Sequence, residues 1–330
     1  MPEPPWQVIA VLGPTATGKS AFAMELAEVL GQRGFGAELI SADALQAYRG
    51  FDIGTAKPGP RARTRVRHHL VDVLEPHQAF SAGEFARRAR TAVDEIESRG
   101  RLPLLVGGGG FYLRALFEGL APVPPVPHEV RTRLRSELQA RGLGELLDEL
   151  RSVDPESVQG LSAGDTQRIL RALEVVRSTG RTLPDWQRMG SESALQRRAL
   201  KVGLTLPRAL LYDAVEVRAR RMLERGWLAE VRRLRERVTR RDERSWGELP
   251  ACQAIGYRQF ADHLDGKLTL EQALEETIRA TRRYAKRQVT WFRREKDVCW
   301  VDASCREGVE RVLERIARRV AGERPAEVWR

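Results

Sequence analysis

Residues 13–20 read Gly13-Pro14-Thr15-Ala16-Thr17-Gly18-Lys19-Ser20, the complete pattern G-x-x-x-x-G-K-[ST]. The apolar run Val8-Ile9-Ala10-Val11-Leu12 precedes it, and Ala21-Phe22-Ala23-Met24-Glu25-Leu26, spaced as a helix, follows. Strand, glycine loop and helix in that order bring backbone N–H groups together at a helix N-terminus, where the dipole favours an anion. Lys19 would reach the bound phosphates, and the Ser20 hydroxyl is placed to ligate Mg²⁺. The chain is expected to bind a di- or triphosphate.

A nucleotide hydrolase of this class needs an apolar strand ending in an acid that holds Mg²⁺. The best buried strand, Leu102-Pro103-Leu104-Leu105-Val106, runs instead into Gly107-Gly108-Gly109-Gly110. Asp72 is a possible substitute but sits in the middle of its run. Glu38-Leu39-Ile40-Ser41-Ala42-Asp43 places Asp43 at the C-terminal edge of a second strand, the ligand side of an open α/β sheet. There it could face an acceptor nucleophile as a general base, as in small-molecule kinases, or simply cap a turn.

The charge distribution is uneven. Residues 1–196 hold 24 Lys+Arg and 24 Asp+Glu, whereas residues 197–330 hold 32 and 21, all of the net +11. A polyanion surface built by the C-terminal third follows. Its centre is Arg279-Ala280-Thr281-Arg282-Arg283-Tyr284-Ala285-Lys286-Arg287-Gln288-Val289-Thr290-Trp291-Phe292-Arg293-Arg294. Basic residues at 279, 282, 283, 286, 287, 293 and 294 fall at helical spacing and form one stripe, with Tyr284 and Trp291 two turns apart. Cations with interleaved aromatics suit RNA, where phosphate contacts position the partner and stacking grips unpaired bases. A solvated helix face is the plainer alternative. No 18-residue apolar run exists, so no membrane span is expected. No secretory signal is read at the N-terminus, and Cys252, Cys299 and Cys305 lack metal-type spacing. Those features suggest a reduced, cytoplasmic protein, which we expect to be a monomer.

The ordered set of motifs resembles the bacterial tRNA dimethylallyltransferases, also called tRNA isopentenyltransferases. After the phosphate loop come Ile40-Ser41-Ala42-Asp43-Ala44-Leu45-Gln46-Ala47-Tyr48-Arg49-Gly50, Asp52-Ile53-Gly54-Thr55-Ala56-Lys57-Pro58 and His68-His69-Leu70-Val71-Asp72. Later stretches are Leu104-Leu105-Val106-Gly107-Gly108, Asp165-Thr166-Gln167-Arg168-Ile169-Leu170-Arg171, Ala254-Ile255-Gly256-Tyr257-Arg258 and Ala285-Lys286-Arg287-Gln288-Val289-Thr290-Trp291-Phe292-Arg293. The resemblance implies transfer of a dimethylallyl group from dimethylallyl diphosphate to N6 of the adenosine next to the anticodon. The loop, Gly13 to Ser20, would then bind the diphosphate leaving group in place of ATP, with Mg²⁺ on Ser20. Catalysis falls to Lys19, Ser20, Asp43 and Arg218. The tRNA would be met by Asp43, Ala44, Leu45, Gln46, Gly109, Gln167, Arg168, Arg171, Gly256, Tyr257, Arg258, Arg283, Lys286, Arg287, Gln288, Trp291 and Arg293. The chain departs from the family at Gly109, usually Thr, at Ala44, commonly Ser, at Arg67, commonly Pro, and at Ala214, commonly Arg. These departures concern individual contacts, chiefly to tRNA, and leave the loop and Asp43 untouched.

The expected fold is α/β, with a parallel-sheet core of P-loop NTPase type. Strands and helices alternate over 1–120. The linker Ala121-Pro122-Val123-Pro124-Pro125-Val126-Pro127 breaks that rhythm and opens a helical insertion, 121–196. Val130–Gln139, Leu143–Arg151 and Thr166–Ser178 show helical spacing there. Leu200–Thr205 returns as a strand, so 197–330 completes the core with a helix-rich basic region. A nucleoside kinase and a non-catalytic RNA-binding module are the rival readings.

Overall fold

In the computed structural model, residues 5–241 and 246–323 are described. Their contacts divide the chain at Leu116–Phe117 and at Leu195–Gln196, giving a discontinuous larger unit and the intervening smaller one. The larger unit contains β1 (Val8–Leu12), β2 (Ala37–Ser41), β3 (His68–His69), β4 (Leu102–Gly107), β5 (Ala199–Thr205) and β6 (Val298–Asp302). They form a single sheet in the order β3-β2-β4-β1-β5-β6, with every pair parallel.

All five residues of β1 and of β2 are buried, as central parallel strands covered on both faces require. Ile9, Val11, Leu39, Leu104, Val202 and Leu204 share one core with Phe22, Leu26 and Leu30 of the Lys19–Gln32 helix. Each of these three side chains is at most 3% exposed, so each contributes roughly 1.5–3 kcal/mol by leaving water. Val309, Leu313, Ile316 and Val320 of the Arg306–Val320 helix join the same core.

The sequence reading of the C-terminal region missed β6, whose Val298 to Asp302 pair with Lys201 to Thr205 of β5. A second core lies among the Trp227–Arg241, Tyr257–Leu264 and Leu270–Phe292 helices, around Phe51, Trp227, Tyr257 and Phe260.

The smaller unit is helical. His128–Val153 is broken at Gly142, where φ is 80°, and packs through Leu134, Leu146, Leu147 and Leu150 on Ile169 and Leu173 of the Thr166–Thr179 helix. Arg177 on the second helix donates to Glu137 and Glu149 on the first and ties the pair together.

Candidate active site

β1 lies between β4 and β5, so the loop that leaves it opens at the centre of the sheet's C-terminal edge. Gly13 (φ 136°) starts the turn and Gly18 (φ 83°) caps the Lys19–Gln32 helix, both in backbone conformations that suit glycine. Thr17 is buried and its hydroxyl donates to the Pro14 carbonyl at 2.9 Å, closing the loop on itself. Lys19 Nζ donates to the same carbonyl at 2.6 Å.

The strand beside β1 carries no acid at its end. Leu12 is in register with Gly107, where a hydrolase would present its metal-holding carboxylate. The absence of a side chain there has a steric reason. A Cβ on Gly107 would lie 2.3 Å from the Ala42 carbonyl oxygen, so glycine lets the chain leaving β2 cross close by. Ala42 N–H donates to the Val106 carbonyl at 2.8 Å, and Asp43 follows immediately. Asp43 Oδ1 accepts the Leu45 N–H at 2.9 Å, which fixes one carboxylate oxygen.

Three charges meet at this edge. Burial first, and the Arg218 guanidinium second, lower the Lys19 ammonium to about 7, while the Asp43 carboxylate opposes them. Burial likewise pushes Arg218 down, again opposed by Asp43. Arg218 Nη1 donates to Thr15 Oγ1 at 3.0 Å, which places the guanidinium over the loop. With Lys19 protonated, the two partly buried cations outnumber the one carboxylate, and a bound anion would compensate the excess. Asp43's charge also raises the phenols of Tyr112 and Tyr284, in each case after burial. Tyr284, pushed up to about 12, and Tyr112 therefore stay protonated on the rim near Asp43. No motif pointed to Tyr112.

Gln288 links three parts of this edge. It is 6% exposed, and its Oε1 accepts the Thr15 N–H at 2.9 Å while its Nε2 donates to the Gly108 carbonyl at 2.8 Å. It joins the phosphate loop, the glycine loop after β4 and the basic helix, and it lies below the surface on which RNA contacts were expected.

Asp72, the other acid considered, is engaged elsewhere. It accepts from Lys57 Nζ and Arg63 Nη2, both at 2.6 Å. Among the described residues no group of three or more His, Cys, Asp or Glu could hold a metal by itself. Ser20 is exposed, and its hydroxyl has no partner among the described residues. That suits Mg²⁺, which keeps several waters and takes few protein ligands beside substrate phosphates.

Residues 46–295 match the model of a family described as IPP transferase. The chain belongs to the IPP transferase family. A tRNA dimethylallyltransferase of Halorhodospira halophila is 46% identical over 291 residues, 88% of this chain and 91% of that one. One of Syntrophobacter fumaroxidans is 43% identical over 302 residues, covering 92% and 85%. The solved full-length tRNA isopentenylpyrophosphate transferase of Bacillus halodurans has a TM-score of 0.65 at 33% identity, over 96% of this chain and 97% of that one. A eukaryotic dimethylallyltransferase, solved in crystallographic snapshots acting on tRNA, shares the fold, with a TM-score of 0.78 at 24% identity over 97% and 81%.

Within this family frame the remaining expected residues separate. Gln46, beside Ala44 and Leu45, accepts from Ser41 Oγ at 2.8 Å and donates to the Thr55 carbonyl at 3.2 Å. Gly109 lies close enough to Ala42 that a Cβ would come within 3.2 Å of its carbonyl oxygen. Arg283, Lys286, Arg287 and Arg293 are exposed, and none pairs with a carboxylate among the described residues. Arg287 stacks on Tyr284 at 5.8 Å. Arg283, Lys286, Arg287, Thr290, Trp291 and Arg294 line a shallow basin. Arg282 leaves the expected stripe, because it turns inward to Glu216 at 2.9 Å and the Tyr212 carbonyl.

Tyr257 was expected on the RNA and is 0% exposed, wedged against Phe51 and Trp227. Gly256 is buried beside it, and only Arg258 of that motif is exposed. In the smaller unit Gln167 and Arg168 are exposed, with Arg168 held by Asp165 at 3.3 Å and Arg171 by Glu174 at 3.3 Å.

Proposed function

We propose that the protein transfers a dimethylallyl group from dimethylallyl diphosphate to N6 of the adenosine next to the anticodon of tRNA, releasing diphosphate. One observation carries the reading beyond family membership. The strand beside β1 ends in glycine, and Asp43 enters the phosphate-loop pocket from β2 in place of a metal-holding acid. That arrangement suits binding and expelling a diphosphate better than hydrolysing a nucleotide.

The C1–O bond of the allylic diphosphate breaks and its electron pair leaves with the diphosphate. The N6–C1 bond forms, and the N6 proton passes to the free Asp43 oxygen. Loop N–H groups, Lys19 and Arg218 stabilise charge that grows on the leaving oxygens, and they are in place before it grows. Bound Mg²⁺ on Ser20 would supply further charge neutralisation at the diphosphate. Asp43 raises the nucleophilicity of a weak amine by accepting its proton, a contribution of roughly 10²–10⁴ in rate. The adenine must leave its stack at a cost of a few kcal/mol. Gln46 offers an amide to its edge, and the exposed cations of the Leu270–Phe292 helix hold phosphates. The exposed Gln167 and Arg168, with Arg171, would add contacts from the smaller unit.

Lys19→Ala should cripple transfer from dimethylallyl diphosphate, and ATP should be neither hydrolysed nor required. Steady ATP hydrolysis by the purified protein, with no transfer from the prenyl diphosphate, would overturn the reading in favour of a kinase-like enzyme.

A further inference from the structure

The Trp227–Arg241 helix carries a carboxylate inside its apolar stripe. Trp227, Val231, Leu234 and Val238 face the core, each at most 5% exposed, and Glu230 shares that face at 3%. A buried carboxylate is costly unless its lone pairs are filled. Glu230 Oε2 accepts the Ile53 N–H at 2.6 Å. Its Oε1 accepts the Gly54 N–H at 3.3 Å and the Tyr257 hydroxyl at 2.7 Å. Burial first, and Glu230's charge second, push the Tyr257 phenol up, so it remains a donor. One turn earlier, the Trp227 indole fills the space between Gly54 and Gly256. A Cβ on either glycine would fall 2.0 Å from a ring atom.

These contacts hold one side of a tight turn. Ala56 adopts φ 50° and its N–H donates to the Ile53 carbonyl at 3.0 Å. The other side of the turn faces Gln46. The carbonyls of Thr55 and Ala56 accept from Gln46 Nε2 at 3.2 and 3.4 Å, while Ser41 donates to Gln46 Oε1. The amide is therefore oriented at both ends, with both N–H groups engaged, and retains one lone pair on Oε1 for a ligand.

We propose that Glu230, with Tyr257, is a positioning residue for base recognition: it pins the 53–54 backbone so that the Thr55 and Ala56 carbonyls keep the Gln46 amide in the orientation that reads adenine. The proposal rests on the adenine-reading role of Gln46 given above. An amide so fixed turns an acceptor toward the base and favours adenine, which presents an N–H donor at position 6. It rejects hypoxanthine, whose oxygen at position 6 is itself an acceptor. Tyr257 acts from within the core as the partner of Glu230, which accounts for its complete burial in an otherwise surface-edged motif.

The test uses the full chain and anticodon stem-loop RNAs carrying adenosine or inosine at the target position. Binding of both RNAs and of inorganic diphosphate is measured for the parent, Glu230→Gln, Tyr257→Phe, Gln46→Ala and the Glu230→Gln/Gln46→Ala double variant. Glu230→Gln should cut the adenosine-over-inosine preference about tenfold, within the range of one well-made amide–base pair. Tyr257→Phe should cut it less, and diphosphate affinity should stay within twofold of the parent in both. In the Gln46→Ala background, Glu230→Gln should change the preference no further, because the two act as one unit. An equal loss in both backgrounds, or a parallel loss of diphosphate binding, overturns the proposal and leaves Glu230 a stabiliser of the core. A preference lost in Gln46→Ala yet kept in Glu230→Gln also overturns it while sparing the Gln46 role. A preference unmoved by Gln46→Ala overturns both.

Discussion

Lys19 sits in a pocket that disfavours its own charge. With its ammonium near 7 through burial and Arg218, it is largely neutral at pH 8 in the free protein. A bound diphosphate favours the charged form and raises that value, so binding above pH 7 must take up a proton. Below pH 7 the ammonium is already protonated and the linkage fades. Calorimetry at pH 8 in buffers of different ionisation enthalpy should therefore show uptake approaching one proton per diphosphate, absent in Lys19→Met. No uptake in the parent would mean that Lys19 is not the diphosphate ligand. Asp43 separates chemistry from binding. Asp43→Asn keeps shape and most hydrogen bonding but cannot accept a proton, so transfer should fall roughly 10²–10⁴-fold with little change in tRNA affinity. A collapse of affinity would recast Asp43 as an RNA contact. The loop and Asp43 were legible in the sequence because their chemistry is local: a spaced motif and an acid at a strand's end. Glu230 and Tyr257 were not, since their meaning depends on contacts 177 and 27 residues away in the chain. The available signal for Glu230 was its place inside the apolar spacing Trp227, Val231, Leu234 and Val238.

At the scale of elements, the Leu270–Phe292 helix has two working faces. Its inner face carries Ala285, Gln288 and Phe292 into the protein, and its outer face presents Arg279, Arg283, Lys286 and Arg287. The outer cations have no carboxylate partner among the described residues, which suits contact with an external polyanion such as RNA phosphates. Neutralising Arg283, Lys286 and Arg287 together should weaken tRNA binding and flatten its salt dependence. Each lost phosphate contact should reduce the log–log slope by roughly 0.7–0.9, with binding of the small prenyl diphosphate nearly unchanged. An unaltered slope would make the face a solvated surface. Spacing revealed this stripe, though it could not tell that Arg282 turns inward to Glu216, because periodicity says nothing of what a neighbouring helix offers. The brief β6, Val298-Cys299-Trp300-Val301-Asp302, escaped notice for a related reason. Five residues beside a charged run carry too little pattern, and the strand is fixed by its ladder to β5.

For the whole molecule, the sheet order places the loop after β1, Asp43 after β2 and the glycines after β4 at one edge, and the helix of Arg218 follows β5. Family membership accounts for the order of the motifs, and the sheet accounts for their convergence. No helix among the described residues is long and apolar enough to cross a membrane. The reaction proposed for this edge moves the prenyl group from its diphosphate to RNA and releases diphosphate. Its most direct measurement incubates the purified protein and Mg²⁺ with unmodified tRNA and dimethylallyl diphosphate labelled in the prenyl group, without ATP. The RNA is then digested to nucleosides. The account predicts label in a single N6-alkylated adenosine from the anticodon loop, with one diphosphate released per prenyl group transferred. Diphosphate release with no label in RNA, or label on any other atom or nucleoside, would contradict it.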